Sequence, residues 1–197
     1  MKSNYLPAVL LAIIVVGCSK SETTPSGPTP ADSVHEEACG VERWAVKNLF
    51  DADVQNVNFT PRVSSISEIQ SLQQVPVRDS LARMSFERQA LSIPCTIVAF
   101  KQEDDSDLHL VITDDMNDSM IAEIPSVSCP EVAKSSYAAE FISTRMWATQ
   151  HLGSPKKSFV QTKVPATVTG VLFQDFPHGQ KGHAANYMEL HPVLKIE

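Results

Sequence analysis

The chain holds 6 histidines and 23 carboxylate residues, the side chains best suited to moving protons or holding a metal ion. His178, His183 and His191 fall in the closing stretch VTGVLFQDFPHGQKGHAANYMELHPVLKIE, and His109 stands in DLHLVIT. Joined by Glu123 or Glu189, His109, His178 and His191 could build a divalent-metal or general acid/base cluster, since neutral imidazole and carboxylate are the usual ligands and proton carriers. The spacing matches no metallohydrolase signature, and no HExxH occurs. The plainer reading, preferred here, is that the histidines hydrogen-bond to backbone and hold a long loop in shape. No resident metal or cofactor is then expected, and no residue is assigned to catalysis. His191 precedes Pro192, which holds it extended and favours a structural role. The acidic runs EDDSD and DDMND look like calcium loops but lack the glycine and terminal glutamate of the EF-hand, so they read as solvated hairpin turns. No serine sits in a GxSxG elbow.

The elements that position these residues follow from periodicity. Residues 40–50 alternate as a strand with Trp44 and Val46 on one face, and SSISEIQSLQQ spaces Ile66, Ile69 and Leu72 as a short serine-capped helix. Residues 75–83 read as connection. From residue 86, ERQALSIPCTIVAFKQ, DLHLVIT and SMIAEI form a three-stranded meander separated by the acidic turns. SCPEVAKSSYAAEFISTRMWATQHLG reads as one long helix, opened by a capping box of Ser128 and Glu131, striped with Ala138, Phe141, Ile142, Arg145 and Met146, and stopped at Gly153. ATVTGVLFQDF and YMELHPVLKI supply two further strands. Three strands, a helix and two strands are the element order of an OB-fold, so the expected architecture is mainly β: an OB-fold-like five-stranded barrel with an extra N-terminal strand and short helix. An open α+β sandwich is the runner-up.

Alternation then assigns faces. Leu108, Leu110 and Ile112 point to the core, leaving Asp107 and His109 outward. Met120, Ala122 and Ile124 leave Glu123 outward; Met188, Leu190, Leu194 and Ile196 leave Glu189 and His191 outward. OB-folds bind ligands on the outer face of their second and third strands beside the loop between strands four and five. Asp107, His109, Glu123, His178, Asn186, Glu189 and His191 are thus the expected ligand-binding residues.

The start of the chain addresses it. The apolar run at residues 5–16 is too short to span about 30 Å of hydrocarbon at about 1.5 Å per residue, and VVGC after it resembles the lipobox of bacterial lipoproteins. Residues 1–17 read as a signal peptide, and Cys18 as the acylated mature N-terminus, anchored through diacylglycerol and palmitate-type chains. Residues 18–38, rich in Ser, Thr, Pro and acid, read as a disordered tether, and residues 39–197 as one globular domain. A net charge of -7 with no basic cluster excludes nucleic acid as partner. Of the three remaining cysteines, Cys95 lies within a strand pattern while Cys39 and Cys129 lie at element boundaries, which favours a Cys39–Cys129 disulfide among three pairings.

GVERWAVKNL, AFKQEDDSDLHLVITD, MIAEIPSVSC and the closing HGQKGHAANYMELHPV block together resemble a group of secreted or lipid-anchored bacterial proteins sharing an ERWxVK start and a terminal HGQxG...N..ELHPV block. The resemblance spans nearly the whole domain except residues 64–83. It implies a shared fold and cysteines at the positions of Cys39 and Cys129, and it implies no activity. The expected function is a monomeric lipoprotein of the cell envelope, on the outer membrane or cell surface rather than the inner membrane, serving as a tethered binding module for a peptide, glycan or small ligand. A metal-dependent envelope hydrolase using the His and Glu residues, and a structural envelope lipoprotein, are the alternatives.

Overall fold

Strand β2 (Gln89–Gln102) organises the rest of the sheet through its pairings. In the computed structural model, which describes residues 39–40, 42–177 and 179–197, β2 pairs with three strands: β1 (Asn58–Val63) in parallel, and β3 (Leu108–Thr113) and β5 (Val160–Gln174) antiparallel. Strand β4 (Ser119–Ile124) continues from β3, and β6 (Met188–Ile196) lies between β4 and β5, parallel to the former and antiparallel to the latter. The fold is mainly β, a six-stranded mixed sheet in the order β1-β2-β3-β4-β6-β5 with β5 also paired to β2. The signal peptide expected at 1–17, the lipidation expected at Cys18, the tether expected at 18–38 and His178 lie outside the described residues.

Among the described residues four α-helices flank the sheet: α1 (Trp44–Lys47), α2 (Ile66–Gln70), α3 (Pro130–Ala133) and α4 (Ala138–Leu152). The serine-capped helix is as expected, with Ser65 Oγ accepting from the Glu68 amide at 3.1 Å and Ile66 and Ile69 buried. The strand expected at 40–50 is instead α1. Arg43, Trp44, Val46, Lys47, Asn48 and Leu49 are all buried, so no solvent face exists for alternation to mark, and Glu42 and Arg43 turn the chain through the left-handed region at φ 54.

The single helix expected over 128–153 is two. Ser128 Oγ is engaged by Ser126 Oγ at 2.5 Å, so Cys129 rather than Ser128 caps α3 and no capping box forms. Helix α4 ends at Gly153 as expected, but it buries Phe141, Thr144 and Ala148 while Ile142 and Met146 are exposed. The helix is therefore turned away from the expected stripe. In β6 the in-out order slips where the β5 pairing shifts around Gly170: Val193 enters the main core, and Leu194 packs instead with Trp44, Val57 and Phe141 in clusters on the other face. A Cβ on Gly170 would meet the Pro192 carbonyl oxygen at 2.7 Å, so only glycine allows β6 so near. Cys39 and Cys129 form the expected disulfide, across a sequence separation of 90.

Both faces of the sheet are covered. One carries the main core of Leu91, Ile93, Ile97, Leu110, Ile112, Met120 and Leu190. The other is closed by α1 and by the loop at 175–187. Gly182 shows how: it sits at φ +88, and a Cβ there would meet Val111 Cγ1 at 2.5 Å, so the loop lies flat on β3.

Candidate functional site

Register builds the site. His109 on β3 is paired with Glu123 on β4, and Ile121 of β4 is paired with Glu189 of β6. Two residues along the same face, Glu123 reaches His191. One row of polar side chains thus crosses three strands. The turn between β2 and β3 adds to it, because Glu103, Asp105 and Asp107 share odd parity with His109 and the Glu103 amide bonds the Asp107 carbonyl at 2.9 Å, folding the turn back tightly.

Alternation placed Asp107, His109, Glu123, Glu189 and His191 correctly on one face, but that face is not solvent. All five are buried, and His109 and Asp107 are 0% exposed. The acidic run at 103–107 is corrected likewise: Asp104 is exposed as expected of a solvated turn, but Glu103, Asp105 and Asp107 aim carboxylates inward. The run at 114–118 is the plain turn expected, with Asp114 Oδ1 accepting from the amides of Met116 and Asp118. Asn186 does not join the site. Its Nδ2 donates to the carbonyls of Ile69 and Leu72 and its Oδ1 accepts from the Met188 amide, so it brackets α2 to the terminal loop. His183 stacks on Tyr187.

The two histidines have more acceptors than protons to give them. His109 Nε2 faces the Lys181 carbonyl at 3.2 Å, which can only accept, so Nε2 carries a proton. Its Nδ1 faces two carboxylate oxygens, Glu123 Oε1 and Glu103 Oε1, each at 3.0 Å. One N–H points at one oxygen, and Glu103 Oε1 is left buried without a hydrogen bond. His191 Nδ1 likewise faces Glu189 Oε1 and Glu123 Oε2, both at 3.2 Å, while its Nε2 lies 3.4 Å from Asp107 Oδ2 with no hydrogen bond on either atom. Among the described residues, three of the six buried polar side-chain atoms without a hydrogen bond belong to this cluster. Asp107 Oδ1 accepts from the Ser126 amide at 2.7 Å, which fixes that carboxylate.

Charge is as unbalanced as hydrogen bonding. Glu103, Asp105, Asp107, Glu123, Asp175 and Glu189 converge on Lys47, His109 and His191, with Lys101 holding the outer oxygen of Glu103 at 2.7 Å. Burial disfavours the His109 cation, but Glu103 and Glu123 outweigh it and lift the imidazole to about 9. Burial, then Asp175 and Glu123, push the Glu189 carboxyl up to about 8, and burial with Asp107 pushes Asp105 up to about 6. Burial would raise Glu123 too, yet its hydrogen bonds to both histidines hold it well below the ordinary carboxylate range. A cavity of about 180 Å³ lined by Lys47, Glu103, Asp105, Glu123, Asp175 and Glu189 opens the cluster to solvent.

Lys47, Glu103, Asp105 and Asp175 are site residues that the sequence reading missed. The odd-numbered acids leading to His109 were the available signal; Lys47 carried none once its segment was read as a strand. Comparison with protein-family models, curated proteins and solved structures finds no match to this chain.

Proposed function

We propose that this chain is a lipid-anchored module of the bacterial cell envelope that binds a divalent cation in the cluster centred on Glu123. The observation that carries the reading is His109 Nδ1 confronted by two carboxylate oxygens at 3.0 Å while Nε2 donates to a backbone carbonyl. A proton is directional and serves one of two such acceptors. A divalent ion serves both, and an imidazole oriented through its other nitrogen is the usual metal-ligand arrangement. The excess of buried carboxylate supplies the countercharge, and the nitrogen-oxygen donor set suits manganese or zinc. At about 30 Å³ per water, the 180 Å³ cavity has room for a partly hydrated ion. Among small ligands, a cation fits the charge.

The anchoring residues 1–38 and the envelope location belong to the same proposal. So does an OB-fold-like arrangement of β2 to β6, supported by the pairing that leads from β2 through β3, β4, β6 and β5 back to β2. A second reading, a metal-dependent envelope hydrolase, is favoured by Glu189, whose carboxyl at about 8 beside the cavity suits general acid/base work near neutral pH.

The test is thermal. At 100 times its Kd, manganese or zinc raises the unfolding free energy of the purified full chain by about 2.7 kcal/mol, and Glu123→Gln abolishes that gain while remaining folded. A wild-type melting temperature unmoved by either ion sinks the reading.

A further inference from the structure

We infer that the cluster takes two divalent cations at once, bridged by Glu123. The inference rests on the cation-binding reading and goes further than it. Two ligand groups are present, Glu103 with His109 and Glu123, and Asp107 with Glu123 and His191, each with its donor atoms within 4.8 Å of one another. They share one residue. Glu123 turns Oε1 to His109 and Oε2 to His191, so its two oxygens are divided between two imidazoles rather than chelating toward one. A carboxylate split in this way has the disposition of a bridge between two ions.

Each half carries its own unsatisfied donor, and these are independent of the acid count. On the His109 side it is Glu103 Oε1; on the His191 side it is Asp107 Oδ2. Asp107 is 0% exposed, so water does not satisfy it from outside. A single ion held by His109, Glu103 and Glu123 leaves the Asp107 oxygen as it is. A second ion engages it. Glu189, 3.2 Å from His191 Nδ1, and Asp105, beside Lys47, are further oxygens at the margins of the two positions.

Manganese alone distinguishes the outcomes. The full chain, purified in detergent and stripped of metal, is titrated with Mn²⁺, the bound ion is counted by elemental analysis, and the electron paramagnetic resonance spectrum is recorded. Two ions per chain with an exchange-coupled spectrum are expected. Asp107→Asn, which retains the oxygen that accepts from Ser126, is expected to bind one ion with the spectrum of an isolated centre, and Glu123→Gln to bind none at the cluster. One ion in the wild type overturns the bridged pair and leaves the cation-binding reading intact. No bound ion overturns both. Two ions without coupling, or two retained in Asp107→Asn, also overturn the bridge. Metal-free melting of each variant reports folding, and should a variant fail to fold, the wild-type count and coupling decide alone.

Discussion

Two buried charge clusters meet at Phe173, and they are built to opposite rules. Arg43 stands 4.9 Å over one side of the Phe173 ring, and His191 lies 5.8 Å from its centroid. On the Arg43 side, the guanidinium grips both oxygens of Glu87 at 2.7 and 2.6 Å and donates further to the carbonyls of Leu81, Ala82 and Gln174. Glu87 accepts in addition from the amides of Met84 and Gln174, and Arg83 bonds Asp51 and the carbonyls of Val46 and Glu87. Every polar atom of Arg43, Arg83 and Glu87 side chains is engaged, and cations match acids. On the His191 side acids outnumber cations, and buried atoms stand without hydrogen bonds. A balanced, saturated network is scaffold; an acid-rich, unsaturated one invites a cation.

That contrast can be broken most severely at the strap common to both sides. The segment carrying Arg43 and Lys47 is tied to α3 by the Cys39–Cys129 disulfide, and closing so long a loop constrains the unfolded chain by about 4–5 kcal/mol. Replacing both cysteines by serine is expected to lower the urea-unfolding free energy by that amount. Next in size, Glu87→Ala strands a buried guanidinium and is expected to cost about 3–5 kcal/mol. Glu123→Gln in the metal-free chain removes one charge from an over-acidic set, and its cost is expected not to exceed about 1–2 kcal/mol. Equal losses at the two positions erase the distinction drawn between them.

A last effect is with pH. The His109 imidazole moves from an ordinary 6.5 to about 9 on folding, so its contribution is complete below about 6.5 and is lost as pH rises through 9. Glu189 moves from 4.5 to about 8, so it favours the folded state below 4.5 and loses that advantage on rising through 8. Both slopes have the same sign. Metal-free protein is therefore expected to lose stability between about pH 6.5 and 9, and Glu123→Gln, which removes a partner of His109, is expected to flatten that decline in a series of urea titrations.

The strands from 89 to 124 and the last two strands were legible because β-branched alternation and acidic turns mark them directly. So was the shared face of Asp107, His109, Glu123, Glu189 and His191, since pleating fixes it. Whether that face met water was not legible. Its cover comes from α1 and its flanks, residues 43–49, whose six buried residues show no amphipathic period, and from a loop whose course depends on Gly182 fitting over Val111. The single long helix failed for a related reason: the competing engagement of Ser128 by Ser126 is a tertiary arrangement that a capping pattern does not reveal.

The disulfide also decides where mechanical load goes. Force applied to the chain ahead of Cys39 passes through the sulfur bridge into Cys129 and the segment leading to α3. The stretch from residue 40 onward, with Arg43 and Lys47 in it, lies beyond that branch point and is shielded from direct peeling. A tug on the N-terminal side is thereby borne by covalent bonds before it reaches the side chains around Glu123.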